Sequence, residues 1–409
     1  MLKNIKLYSR YKIFAYDIFF YYAVSFFFFT TVKGLSVSQI LVLEALYPVW
    51  GILIQIPANL IVSKIGVKNS IVIANMLWCI GYISYIISPS LLFIVFADIT
   101  FATGNALKEM TESTFLLESL KKKEKENEYN KIEGKGIAVH YYVETITSIL
   151  AGFLFVVNPY IPFILGTITC FISVCIAIQF KEFKSDQKQE YISLKKQISN
   201  LASSIKDSIK NSRIQALILF AAVFSGIIAI ISIYNINFLE HLGVDVEQYA
   251  LIFSIFSIIH GIAAQNQYII ERKTKNKTLT WLSVTFVFTI ILIGIIGALE
   301  IPIALIIGAA ICVIIIQKII AGTYEVSISK YMINFTDIKT APNVLTTYNF
   351  FKNIGRSALL FLGALLIDKV NIVHSYKILG ISSFITILII VGFMKNRVGI
   401  MPKENVEQG

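Results

Sequence analysis

Apolar stretches of about 20 residues, recurring along the whole chain without strict alternation, constrain this sequence more than any other feature. Lipid offers no hydrogen bonds, so only helices and closed barrels cross it, because both satisfy their backbone groups internally. A barrel strand alternates apolar and polar residues; these stretches do not, and at about 20 residues per span they select helices. Of the 409 residues, 56% are hydrophobic and 15% charged, against roughly 25% charged in a soluble domain.

Hydropathy places spans near 12–32, 36–60, 69–88, 90–117, 135–156 and 159–180, then near 213–238, 246–270, 278–298, 302–328, 342–367 and 373–394. The expected fold is an all-α membrane protein of twelve transmembrane helices in two six-helix halves. Its divisions are 1–180, a linker at 181–212, 213–398 and a tail at 399–409. Tight turns fall at Ser88-Pro89-Ser90, Asn158-Pro159 and Ile301-Pro302. The first run lacks a small-residue cleavage site and is kept as a helix.

Basic residues set the expected orientation. Lys3, Lys6, Arg10, Lys12, Lys64, Lys68 and the run Lys121-Lys122-Lys123-Glu124-Lys125 fall on one side, and Lys33, Lys369 and Lys377 on the other. Positive charge concentrates in cytoplasmic loops, so both termini are expected in the cytoplasm. The net charge of +11 then addresses a membrane and needs no nucleic-acid partner. Cys79, Cys170, Cys175 and Cys312 all lie in apolar spans and read as small hydrophobes.

The linker is patterned. Ile192, Leu194, Ile198, Leu201, Ile205 and Ile209 recur at helical steps among Lys195, Lys196, Lys206 and Lys210. That predicts a basic amphipathic helix lying on the anionic leaflet.

An internal repeat supports two halves. Gly34-Leu35-Ser36-Val37-Ser38-Gln39 returns 209 positions later as Gly243-Val244-Asp245-Val246-Glu247-Gln248. Each segment holds a capping box, Ser36 with Gln39 and Asp245 with Gln248, just before the second span of its half. A parallel repeat of this kind is one transporter design, with the site near midplane.

On these residues the chain resembles a bacterial major facilitator superfamily transporter over essentially its full length. The glycine-led turn at 34–39 is typical of that superfamily's first outside loop. Asn59-Leu60-Ile61-Val62-Ser63-Lys64-Ile65-Gly66-Val67-Lys68 matches its loop signature at Lys64, Gly66 and Lys68. It departs at Asn59, where the family has glycine, and at Ser63, where it has aspartate. Thr114-Phe115-Leu116-Leu117-Glu118-Ser119-Leu120 resembles the end of the fourth span, and Glu118 is expected to face Lys64. Gly134-Lys135 resembles the opening of the fifth span. The Gly-Pro motif of drug/proton antiporters is missing, with Ala151-Gly152 its nearest remnant.

Charges inside spans are the functional candidates, since each costs about 2.5–3.5 kcal/mol at the bilayer centre. The acids are Asp17, Glu44, Asp98, Glu109, Glu112, Glu144 and Glu325; the bases are Lys108, Lys318, Lys352 and Arg356. At 1.5 Å per residue, Glu144 falls about 3 Å and Lys318 about 5 Å from midspan, and Asp17 about 7 Å. Asp17, Glu109 and Glu112 are candidates for proton coupling. Lys352 and Arg356, with Asn349 and Asn353 on the same stripe, are expected to meet acids of the second and fourth spans. The resemblance implies that Glu144 meets Lys318 or His260 as the halves rock. Asn105, Tyr234, Asn235 and Gln317 are candidates for hydrogen-bonding a substrate. Phe26 to Phe29, Tyr21, Tyr22, Tyr47 and Trp50 are expected to pack, although they are compatible with lining a cavity.

The sequence therefore predicts a monomeric, proton-coupled secondary transporter of a small organic molecule in the bacterial cytoplasmic membrane, with drug or metabolite export ahead of import. Two other readings stand beside it: import of an anionic metabolite, and a protein of this fold acting as a sensor or assembly partner without transport. No nucleophile–base set, phosphate loop or metal-ligand spacing is present, so neither an enzyme, a cofactor nor a metal is expected.

Overall fold

The computed structural model describes residues 2–125, 128–182, 199, 203, 205, 210–335, 341–395 and 397–398. All regular structure among them is helical. Most of the predicted linker helix and the tail at 399–409 lie outside the described residues.

The chain runs through α1 (Leu2–Ala15), α2 (Ser25–Phe27) with a π-helical turn (Phe28–Val32), α3 (Val37–Ile65), α4 (Val67–Ile87), α5 (Leu91–Lys121), α6 (Tyr129–Val157) and α7 (Ile161–Ile178). It continues through α8 (Ser212–His241), α9 (Val246–Gln265), α10 (Gln267–Thr274), a 3-10 turn (Lys275–Lys277), α11 (Thr278–Ile296), α12 (Ile303–Asn334), α13 (Ala341–Ile367) and α14 (Ile372–Met394). Among the described residues, eleven helices are long and apolar enough to cross a membrane. They match the predicted spans from the second onward.

The first span departs from expectation. It is not one helix over 12–32: α1 stops at Ala15, residues 16–24 are irregular, and helix resumes only at Ser25. Phe20 has φ +60°, which an L-residue adopts at a cost.

Caps explain several boundaries. The Asn211 side chain accepts from the amides of Arg213 and Ile214 at the start of α8, and Asn371 accepts from His374 at the start of α14. Both satisfy orphan donors of a helix N-terminus. Pro162 stands in the first turn of α7, where its missing N–H costs nothing.

The chain divides into two compact units. Unit 1 is Met1–Ser36, Leu46–Leu194 and Asp245–Ser254; unit 2 is Val37–Ala45, Lys195–Val244 and Ile255–Gly409. The first residues of α3 belong to unit 2, and those of α9 to unit 1. Unit 1 packs α4 against α5 and α7, and α1 against α6; unit 2 packs α8 against α13 and α11 against α14.

The sequence repeat is a repeat of backbone shape. Gly34 has φ +65° and Gly243 φ +87°, and α3 and α9 each begin three residues later. In the second copy Gln248 reaches back to accept from the Asp245 amide at 3.4 Å, as the capping box requires.

Candidate functional sites

The break in the first span is built from unit 1 side chains. Three carbonyls that helix would otherwise satisfy are taken up from three different helices. His140 of α6 bonds through Nδ1 to the Ile13 carbonyl at 2.8 Å; since a carbonyl only accepts, Nδ1 carries the proton. Lys108 of α5 donates to the Ala15 carbonyl, the last residue of α1. Tyr82 of α4 donates to the Phe19 carbonyl at 2.6 Å. Irregular backbone at membrane depth is tolerated where protein satisfies it, and an ammonium at a helix C-terminus also meets the negative end of its dipole.

A polar network runs from this break along α1. Lys12 Nζ lies 2.7 Å from Glu112 and 2.9 Å from Glu133. Tyr11 donates to Glu112 at 2.7 Å and Tyr8 to Glu133 at 2.9 Å. Asn75 donates to the Tyr11 hydroxyl at 2.8 Å and accepts from Ser173 at 2.8 Å. Lys108 closes the group, 3.7 Å from Glu112 and over the face of Trp78. Two bases balance two acids, so the network is neutral. The two proton-coupling candidates of α5 stand in different surroundings: Glu112 is buried among bases and donors, whereas Glu109 is exposed.

Asp17 stands in the break itself. Its Oδ1 accepts from the Ile18 amide at 2.8 Å, and Tyr22 bonds to both carboxylate oxygens at 3.0 Å. Lys108 and Glu144 act on it electrostatically. Glu144 is half-buried on α6, and the neighbour the structure gives it in unit 1 is this second acid.

Unit 2 gathers the other charges. Arg356 of α13 reaches Glu44, in the first residues of α3, at 3.4 Å, so the predicted pairing with an acid of the second span is observed. His260 of α9 bonds to Glu325 of α12 at 3.2 Å. Lys318, Lys352 and Arg356 all act electrostatically on Glu325, and Lys352 lies 5.4 Å from the Tyr348 ring centroid. Asn349 is exposed and Asn353 half-buried on the same helix. The partners of His260 and Lys318 in unit 2 thus come from α12 itself.

The candidate substrate ligands make hydrogen bonds within the protein, although the Gln317 Nε2 is buried without a partner. Asn235 donates to Gln317 at 2.8 Å and accepts from Tyr376 at 2.7 Å, and Tyr234 donates to the Gly363 carbonyl at 2.8 Å. Asn105 donates to the Tyr47 hydroxyl. Polar side chains inside a bundle satisfy each other across helices, and spacing along one helix does not reveal that. The aromatics of the first spans mostly pack as core: Phe28 lies 3.9 Å from Phe163 by ring centroid, and Tyr85 stacks on Tyr21 and Phe101.

At the loop signature Lys64 is exposed and Glu118 half-buried, and among the described residues no ion pair joins them. Gly66, with φ +85°, begins α4. The acid there is Glu182, whose Oε1 accepts from the Lys68 amide at 3.4 Å. A carboxylate is favourable at a helix N-terminus, and Glu182 places one at the start of α4. Sequence reasoning missed Lys12, Glu133, His140, Tyr82 and Glu182. Lys12 counted there only among the basic residues of the cytoplasmic side, and Glu133, beside Gly134-Lys135, and Glu182 went unremarked. Among the described residues no group of three His, Cys, Asp or Glu stands close enough together to hold a metal ion.

Eleven helices among the described residues that are long and apolar enough to cross a membrane, preceded by a break capped by unit 1 side chains, define a multi-pass membrane protein. A profile of the Major Facilitator Superfamily matches residues 13–359, and the chain belongs to that superfamily. Among solved structures it is similar to the nucleoside transporter NupG (12% identity, TM-score 0.72, covering 96% of this chain and 98% of that one). It is also similar to a D-xylose-proton symporter (11%, 0.67, 98% and 98%) and to a POT family transporter in complex with 5-aminolevulinic acid (14%, 0.65, 97% and 95%). At these identities the likeness is one of fold. No curated protein matches the chain in sequence.

Proposed function

We propose that the chain is a proton-coupled secondary transporter of a small organic molecule, working as a monomer by alternating access in the bacterial cytoplasmic membrane, with Asp17 as the coupling carboxylate. The observation that carries this reading is the charge balance around the break. Lys12 and Lys108 are matched by Glu112 and Glu133, so Asp17 and Glu144 remain as excess negative charge. Uncompensated charge at membrane depth is costly, and a proton is the smallest cation that removes it. That one structure of the same fold is a D-xylose-proton symporter agrees with such coupling.

The argument for export weakens, because Phe28, Phe29 and Tyr21, among the aromatics that would have lined a drug cavity, pack on other rings of unit 1. The non-transporting reading drew on the degraded loop signature; with Glu182 at the α4 N-terminus, that argument weakens too.

The test is reconstitution in liposomes under an imposed pH gradient of either sign, with labelled metabolite and drug pools. Wild type accumulates a substrate, and the sign of the gradient that drives it gives the direction. Asp17→Asn exchanges the same substrate without accumulating it. Accumulation by Asp17→Asn equal to wild type removes Asp17 from the mechanism, and the lack of gradient-dependent flux from every pool returns the chain to the sensor reading.

A further inference from the structure

The charges of unit 2 differ from those of unit 1 in three ways. They carry the opposite excess: Lys318, Lys352 and Arg356 face Glu44 and Glu325, one positive charge over when His260 is neutral. They are open, since the side chains of Arg356 and Glu44 are 41% and 43% exposed, whereas those of Lys12 and Glu112 are 8% and 6%. Their bonding is also incomplete. Arg356 meets Glu44 through Nη2 alone at 3.4 Å, and its Nε is buried without a hydrogen-bond partner.

A guanidinium offers parallel N–H groups that match the two oxygens of a carboxylate or phosphate at roughly 2.7–2.9 Å. Glu44 occupies that fork by one long contact. Glu325 takes a bond from His260 at 3.2 Å and has its side chain 69% exposed. So many charges are costly against lipid, and an aqueous cavity is the surrounding that accommodates them. From α12, Lys318 and Glu325 lie seven residues apart on one face; from α13, Lys352 and Arg356 lie one turn apart, and all three bases act electrostatically on Glu325.

We infer that the transported molecule carries an oxyanion, a carboxylate or a phosphate, and that Arg356 holds it in competition with Glu44, assisted by Lys352 and Lys318. This rests on the transport reading above but is tested by binding, without a gradient. Anion binding by the wild type without gradient-driven flux counts against the transport reading, and no anion binding by the wild type counts against this one.

Purified full-length protein in nanodiscs is titrated separately with succinate, glycerol 3-phosphate, glucose and choline, reading the thermal unfolding midpoint, which rises for a ligand of the native state. At least one of the two anions raises the midpoint, and which one distinguishes carboxylate from phosphate. Glucose and choline do not. Arg356→Lys keeps the charge but loses the fork and weakens the effective anion by about tenfold or more. Glu44→Gln, which removes the competing carboxylate, strengthens it. Should Arg356→Lys not fold, Lys352→Gln is expected to weaken binding in the same direction. The proposal is overturned if neither anion shifts the midpoint, if glucose or choline shifts it equally, or if the weakened variants bind as wild type does.

Discussion

Lys12 and Glu112, a hundred residues apart in the chain, meet at 2.7 Å inside unit 1, with less than a tenth of either side chain exposed. The pair is held by Tyr11 on the acid and Glu133 on the base. Removing one partner of such a buried pair unbalances the network's charge, at a cost of up to about 3–5 kcal/mol, although Glu133 still meets Lys12 and Lys108 still meets Glu112. Glu112→Leu and Lys12→Met are therefore each expected to lower the unfolding midpoint strongly. The double variant is expected to lie closer to wild type than their summed effects predict. Additive losses in that cycle would show that the two charges are not coupled.

The interrupted first span yields a second prediction. Tyr82→Phe removes one hydroxyl and strands the Phe19 carbonyl, a loss of about 1–3 kcal/mol for a buried acceptor. Lys108→Met strands the Ala15 carbonyl and takes a base from Glu112 as well, so its effect is the larger. Hydrogen exchange locates the damage: amides over 16–24 are expected to exchange faster in both variants, with those of α11 and α14 unchanged. Equal acceleration throughout the chain would mean that these side chains stabilise unit 1 generally and do not build the break.

How much of this was legible beforehand follows from where the stabilising partner sits. The second and later spans were readable because apolar length is a local property that lipid selects directly. The repeated turn was readable because only the local chain decides it: Gly34 and Gly243 carry the positive φ themselves. The break at 16–24 was not, because Tyr16-Asp17-Ile18-Phe19-Phe20-Tyr21-Tyr22 contains neither glycine nor proline and reads as continuous helix. His140, Lys108 and Tyr82, which accommodate it, come from three other helices. The same reason separates Glu112 from Glu109. One helix turn apart, they look alike in sequence, and only the packing of α1 against α5 and α6 makes one a buried partner of Lys12 and leaves the other exposed.

The duplicated turn makes a matched pair of experiments possible. No atom stands within 4 Å of a Cβ added at Gly34 or Gly243, so alanine there meets only its own backbone penalty, about 1–2 kcal/mol in the left-handed region. Gly34→Ala and Gly243→Ala are expected to cost similar amounts, and asparagine at either site less, because its side chain tolerates that conformation. A large loss at one site and none at the other, read from unfolding midpoints, would show that the two turns are not equivalent in the folded protein.

Orientation in the membrane is the remaining expectation open to direct test. Lys369 follows the end of α13 and Lys123 follows the end of α5, and both are exposed, so access to either depends on the side of the bilayer and not on burial. The excess of basic residues on the Lys123 side predicts that this side is cytoplasmic. Labelling needs a background without the natural thiols, since Cys175 and Cys312 are exposed on their helices. In that background a membrane-impermeant maleimide added to intact cells is expected to modify Lys369→Cys and to spare Lys123→Cys until the membrane is opened. The reverse pattern would invert the protein. Labelling of both from outside would mean that an even number of crossings separates the two loops, so that one of the seven described membrane-length helices between Lys123 and Lys369 does not cross.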